Sequence, residues 1–251
     1  MALDTGAIAL TVLAVLIVGI SKGGFGGGIG MVGVPIMALV MSPVQAAAIL
    51  LPVLCAMDIM AMKAYWKRWS SPHLIYLLPA ALLGITVGAL TFTFFNAAHI
   101  RLIIGVIAVG FALNHWFKPA RFIRNKPGKV AGWLWGGVAG FTSFVSHSGG
   151  PPIAVYLLPQ QLDRSTYQAT TVLFFLVVNY VKLIPYSLLG QFNTDNLFTS
   201  LWLLPIAALG IWLGVFLHSR VPDKLFFRLA YALLFLTGVK LIYDGASSIL
   251  G

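Results

Sequence analysis

Six apolar runs of about twenty residues constrain this chain most strongly, because a helix of that length spans the hydrocarbon core of a bilayer. Only 9% of the residues are charged and 59% are hydrophobic, whereas about 25% of a soluble domain is charged. A soluble fold of this size cannot bury so much apolar surface. We therefore predict an all-α polytopic membrane protein with the lipid bilayer as its solvent. The runs cover 43–64, 74–95, 100–117, 165–188, 197–217 and 225–243.

Two further apolar regions are interrupted instead of continuous. Residues 7–21 are followed by SKGGFGGGIGMVGVP and a short apolar piece, and residues 130–145 are followed by SHSGGPP and IAVYLLP. Glycine and proline clusters of this kind interrupt helices. The sequence therefore predicts two broken or re-entrant hairpins, each built from two half-helices.

The two halves of the chain repeat each other. LPAALLGITVG at 78–88 aligns without gaps on LPIAALGIWLG at 204–214. Each interrupted region also precedes three long apolar runs. We predict a first membrane repeat over 1–117, a basic cytoplasmic linker over 118–129 and a second membrane repeat over 130–251.

The distribution of basic residues predicts the orientation of these repeats. The net charge of +10 lies mainly in short loops between apolar runs, which is typical of membrane topology signals and not of a nucleic-acid-binding surface. If all the basic clusters are cytoplasmic, each half crosses the membrane an odd number of times. The fold class we predict is two inverted-topology repeats, each a broken or re-entrant hairpin plus three transmembrane helices, a known transporter design.

The two interruptions are the candidate binding site. Non-helical backbone at membrane depth must be buried in protein or line a polar cavity, and free amides at helix starts favour anions. Two such segments entering from opposite faces are expected to meet near the midplane and bind an oxyanion. The candidates are Lys22, Gly26, Gly27, Gly28, Ser146, His147, Ser148, Gly149 and Gly150.

Other interpretations of the glycines remain open. Gly19, Gly23, Gly136 and Gly140 form Gly-x-x-x-Gly pairs that also suit close helix packing. The string GFGGGIG resembles a dinucleotide-binding loop, but no βαβ pattern surrounds it.

Ionisable residues within apolar runs are functional candidates by default. Lys182, with Asn179 nearby, is a candidate for substrate binding, and Lys182 alternatively snorkels from a helix end. Asp58 and His147 are candidates for proton coupling. The alternatives are a structural pair of Asp58 with Lys22 or Lys182, and a hydrogen-bonded structural histidine.

The segments GGFGGGIGMVGVP and SHSGGPPIAVYLL, together with the paired LP-x-A-x-LG motifs, resemble the TauE/SafE family of sulfite exporters. The resemblance covers essentially the whole chain. It implies a permease of the bacterial inner (cytoplasmic) membrane for sulfur-containing anions, either sulfite or an organosulfonate such as sulfoacetate.

We therefore predict a secondary transporter that exports a small sulfur-containing anion by alternating access around a midplane site. The alternatives are a passive anion channel and an uptake permease for a sulfonate or another small anion. The chain has no H-E-x-x-H motif and no paired carboxylates within its apolar runs, so we do not expect an enzyme. We expect no cofactor, no metal and no nucleic acid. The expected partners are the anion and the bilayer, and a homodimer is left open.

Overall fold

The computed structural model describes residues 5–25, 30–92, 94–117, 126–217 and 223–250, and every element within these ranges is helical. Two 3₁₀ turns cover Gly30–Val32 and Leu158–Gln160. The α-helices are α1 (Thr5–Gly24), α2 (Gly33–Met37), α3 (Pro43–Ala64), α4 (Ser71–Phe92), α5 (Ala97–Phe117), α6 (Lys129–Ser146), α7 (Gly150–Leu157), α8 (Arg164–Leu188), α9 (Thr194–Leu217) and α10 (Asp223–Leu250).

Seven helices within the described ranges are long and apolar enough to cross a membrane. They are α1, α3, α4, α5, α8, α9 and the Tyr231–Leu250 part of α10. The six long spans that the sequence predicts all occur, with ends shifted by a few residues. The prediction of an all-α polytopic membrane protein is therefore confirmed.

The prediction of paired half-helices was wrong for the first hairpin. α1 has 20 residues and continues through Lys22, Gly23 and Gly24, whereas the returning α2 has only 5. Close packing on α9 explains why residue 23 is a glycine, since a Cβ on Gly23 would lie 2.4 Å from the carbonyl oxygen of Ile211. The second hairpin pairs α6, of 18 residues, with α7, of 8 residues.

Glycines let the first helix of each half pack closely on a helix of the other half. Gly19 and Gly23 of α1 face Gly210 and Gly214 of α9, so these two helices run parallel. α6 packs in the same way on α4, where a Cβ on Gly140 would lie 2.1 Å from a carbonyl oxygen of α4. Close packing, the alternative interpretation of the Gly-x-x-x-Gly pairs, is therefore what the structure shows for these glycines.

The centre of the fold is the antiparallel pair of α3 and α8. Asp58 in the middle of α3 contacts Asn179 of α8, and Ser70, beyond the end of α3, donates its amide to Thr170 near the start of α8 at 2.9 Å. α5 and α10 form another antiparallel pair, in which Gly105 faces Gly238. The division into two inverted repeats stays a prediction.

Polar residues set the starts of the two central helices. The Ser42 side chain accepts the amide of Gln45 at the start of α3. Asp163 caps α8 by accepting the amides of Ser165 and Thr166 at 3.1 and 3.0 Å. Hydrogen bonds from the side chain and then the backbone of Thr166, with a further backbone bond from Ser165, lower the pKa of Asp163. The capping carboxylate therefore stays ionised at the positive end of the helix.

Candidate substrate-binding site

A stripe of side chains on one face of α8 connects the parts of the candidate site. Its members recur every three or four residues, which places them on one side of a helix, and all are buried. This face points at α1, α3 and α6, so polar groups that lipid could not solvate are enclosed by protein. The stripe consists of Gln168, Thr171, Phe175, Asn179, Lys182 and Tyr186.

The first cluster on this stripe is an ion pair between Lys22 of α1 and Asp58 of α3. The two side chains are only 8% and 1% exposed. Asn179 donates its amide to the second carboxylate oxygen of Asp58 at 2.6 Å. The carboxylate is thus bound by one group from each of two other helices, as a buried charge requires. This arrangement matches the structural pair that was an alternative role for Asp58.

The second cluster joins Lys182 of α8 to the end of α6. The Lys182 ammonium lies 3.0 Å from the carbonyl oxygen of Ser143, 3.0 Å from its hydroxyl oxygen and 2.7 Å from Nδ1 of His147. A charged lysine has three hydrogens to donate, so these three acceptors use all of them. The carbonyls of a last helical turn have no intrahelical partner and attract cations. Lys182 therefore caps α6.

His147 ends α6 in a strained backbone conformation. Its φ of 53° is left-handed, which is uncommon for a residue other than glycine. Nε2 of the ring lies 3.0 Å from the carbonyl oxygen of Ala47. Because Nδ1 accepts from Lys182, the hydrogen-bond network assigns the ring hydrogen to Nε2, which donates to Ala47. His147 is thus a neutral imidazole that joins α6 to α3.

A small cavity lies between the two clusters. Its volume is about 20 Å³, which is enough for about one water molecule. Both hairpins contribute to its lining, the first through Lys22 and Gly30 and the second through Ser143 and His147. The complete lining is Lys22, Gly30, Leu54, Ser143, His147, Phe175 and Asn179.

The charge around this cavity is unbalanced. Among the described side chains, the buried charged groups are Lys22, Asp58 and Lys182. Asp58 neutralises Lys22, and His147 is neutral in the assigned tautomer. With Lys182 protonated, the cluster carries one excess positive charge in a region of low dielectric, where a buried charge is expensive without a partner. A ligand with one negative charge would neutralise it.

The candidates from the second interruption do not all reach the cavity. Ser146 donates to the Ser148 hydroxyl at 2.9 Å, and the Ser148 hydroxyl donates to the backbone carbonyl of Ser146 at 3.2 Å, so both hydroxyls bind within the turn. Gly149 packs on the ring of Phe175, and Gly150 begins α7. Pro151 and Pro152 follow and have no amide hydrogen, so α7 offers fewer donors than the sequence suggested. The binding roles of Ser146, Ser148, Gly149 and Gly150 stay predictions.

Gly26, Gly27 and Gly28 lie outside the described residues. The structure brings Lys22, Asn179 and His147 onto one cavity and places Asp58 and Lys182 directly behind them. No group of three or more metal-ligating side chains occurs in the ranges that the structure describes.

Sequence reasoning missed Phe175 and Leu54 as lining residues, whereas Ser143 belongs to the second interruption, which the sequence identifies as a source of donors. Phe175 was detectable, because it precedes Asn179 by one helical turn and therefore shares its face. The Lys22 ammonium lies 6.0 Å from the centre of the Phe175 ring, within range of a cation–π contact. Leu54 carries no comparable local signal.

A comparison with known proteins gives one family. The family model described as "Sulfite exporter TauE/SafE" matches residues 11–241, which includes both clusters and every residue lining the cavity. Neither the curated proteins nor the solved structures give a significant match.

Proposed function

From the premise that the chain belongs to the sulfite exporter TauE/SafE family of membrane transporters, we propose that it exports one small sulfur-containing anion. The proposed substrate is sulfite, in its singly charged bisulfite form, or an organosulfonate such as sulfoacetate. The proposed location is the bacterial inner membrane. Export of one negative charge is favoured by about 2.3 kcal/mol for every 100 mV of negative-inside potential.

The excess positive charge that a protonated Lys182 gives the cavity carries this proposal. Lys22 and Lys182 together outnumber Asp58, and both lysines are held in place by hydrogen bonds or ion pairing. A compact anion with several oxygen acceptors would meet the Lys22 ammonium, the Asn179 amide and the Ser143 hydroxyl at the cavity wall. Bisulfite would balance this charge, whereas a dianion, including fully ionised sulfoacetate, would leave one net negative charge, so the charge balance favours bisulfite over sulfoacetate.

The size of the cavity supports a carrier mechanism. Room for about one water is too little for an anion of four heavy atoms, so α1 and α6 have to separate before substrate can enter. The first helix of each half packs on a helix of the other half, α1 on α9 and α6 on α4. These two helix pairs are the units that we propose rock against each other. We propose that this rocking gives alternating access, with His147 or Asp58 as candidates for proton coupling.

Flux into proteoliposomes tests this function. We expect purified protein to catalyse saturable movement of labelled sulfite, with counterflow against unlabelled sulfite, and to prefer univalent sulfur anions over sulfate. Linear flux without counterflow would indicate a passive channel and contradict the carrier. No binding or movement of sulfite, sulfoacetate or taurine would contradict the substrate class.

A further inference from the structure

A tyrosine holds the last turn of α1. The phenol of Tyr65, the residue that follows α3, donates to the carbonyl oxygen of Gly23 at 3.1 Å. Carbonyls in a last helical turn lack intrahelical partners, so this hydrogen bond satisfies one of them. Gln168 of α8 binds the neighbouring carbonyl of Lys22 at 2.8 Å. The end of α1 is thereby held between α3 and α8.

A second tyrosine holds the last turn of α6 in the same way. The phenol of Tyr186, near the end of α8, donates to the carbonyl oxygen of Phe144 at 2.8 Å. The Tyr186 ring packs on Phe144 and His147, with ring centres 5.3 and 6.2 Å apart. In both halves, a tyrosine near the end of the long helix therefore binds the end of the hairpin helix that precedes it.

The two contacts lie at opposite ends of the molecule. α3 and α8 are antiparallel, so residues near their C-termini are at opposite ends of the pair. Gln168, which marks the α1 end, precedes Tyr186 by 18 residues of α8, or about 27 Å at 1.5 Å per residue. That distance is close to the thickness of the hydrocarbon core. The cavity with Lys22 and His147 lies between the two contacts.

We infer that Tyr65 and Tyr186 are the two gates of the carrier, which is an inference that rests on the proposed function. Each gate is one neutral hydrogen bond to a carbonyl, an interaction of modest net strength that can break without unfolding a helix. Release of Tyr65 from Gly23 opens the cavity to one face, and release of Tyr186 from Phe144 opens it to the other.

The surface beside Tyr65 supports this assignment. An open depression of about 760 Å³ lies beside the segment that follows Tyr65. Its lining includes Lys67, Arg68, Ser70 and Thr166. Its wall carries two exposed cations, Lys67 and Arg68, against one carboxylate, Asp163, and this excess of positive charge raises the local concentration of anions. An anion gathered there would meet the Tyr65 gate before it reached the cavity.

The single cysteine of the chain allows a direct test. Cys55 is buried and lies one helical turn before Asp58 in α3, next to the lining residue Leu54. Its reaction with a membrane-impermeant methanethiosulfonate reagent would be measured in right-side-out and inside-out vesicles for wild type, Tyr65→Phe and Tyr186→Phe. Phenylalanine retains the ring and removes only the hydroxyl. Tyr180→Phe is the matched control, because Tyr180 lies on the same helix with its side chain 40% exposed.

We expect each gate variant to raise the Cys55 labelling rate at least threefold from one face only, and the two faces to be opposite. Tyr180→Phe should label like wild type. Equal labelling of Cys55 from both faces would indicate that the two hydrogen bonds are merely structural. An unchanged labelling rate, or labelling from the same face in both variants, would also contradict the gates. Labelling of Cys55 needs no substrate, so the two proposals can fail separately. Labelling from one face without sulfite flux would contradict only the proposed substrate. Normal sulfite flux without labelling from one face would contradict only the gates.

Discussion

Lys22 of α1 and Asp58 of α3 form an ion pair with both side chains almost completely buried. Removing one partner leaves the other as an unpaired charge, which destabilises a protein by about 3–5 kcal/mol. We therefore expect Asp58→Asn to lower the thermal unfolding midpoint in detergent strongly. The double variant Lys22→Met, Asp58→Asn should be more stable than Asp58→Asn alone, because Lys22 is then no longer left as a buried charge without its partner.

The exposed pair Lys240–Asp244 in α10 is the control for this comparison. Its side chains are 58% and 31% exposed and four residues apart in one helix, where such pairs contribute only about 0.3–0.5 kcal/mol. We expect Asp244→Asn to change the unfolding midpoint little. If the double variant of Lys22 and Asp58 is no more stable than Asp58→Asn, the ion pair does not stabilise the fold through charge pairing.

Lys182→Met is expected to weaken anion binding. The substitution removes the excess positive charge and leaves Ser143 and His147 without their shared donor. Interactions with charged groups contribute roughly 1.5–3 kcal/mol, so the affinity for sulfite should fall about tenfold or more. Isothermal titration of purified protein with sulfite measures the change, and Lys240→Met serves as the charge-matched control. Unchanged affinity would show that Lys182 only caps α6.

The long spans were predictable from sequence because hydropathy alone determines which segments the bilayer accepts. The end of α1 was not, because α1 continues past the first glycines and packs on α9 at Gly23, a contact that no local pattern reveals. Among the site residues, Lys22 and Asp58 were candidates as ionisable groups at depth. The sequence could not decide whether Asp58 pairs with Lys22 or with Lys182, because the ion pair joins helices that the sequence does not place relative to each other.

Gly140→Ala is expected to disturb the packing of α6 on α4. The added Cβ would lie 2.1 Å from the carbonyl oxygen of Ala81, and overpacking of this kind costs about 1–3 kcal/mol. Gly110→Ala is the control, because a Cβ there has nothing within 4 Å and alanine favours a helix by up to about 1 kcal/mol. Thermal unfolding should therefore shift downward for Gly140→Ala and not for Gly110→Ala. Equal shifts would contradict a packing role for Gly140.

His147→Asn is expected to change the pH dependence of transport. Asparagine tolerates the left-handed conformation of this position better than most residues, so the backbone should keep its path. The imidazole, which joins Lys182 to the carbonyl of Ala47, is lost. Initial rates of sulfite flux between pH 5.5 and about pH 8, where an unperturbed histidine titrates, measure the effect. A profile that is displaced in rate but unchanged in shape would remove His147 as the coupling residue.

Reporter fusions at Lys126 and Gln191 should lie on opposite sides of the membrane. Between these positions the chain runs along α6, returns through α7 and then crosses once through α8. Because the hairpin of α6 and α7 ends on the side where it begins, a single net crossing separates the two residues. The cluster of basic residues before α6 predicts that Lys126 lies in the cytoplasm. An alkaline phosphatase fusion should be active only after Gln191 and a fluorescent protein only after Lys126; activity of one reporter at both positions would contradict the inverted arrangement of the halves.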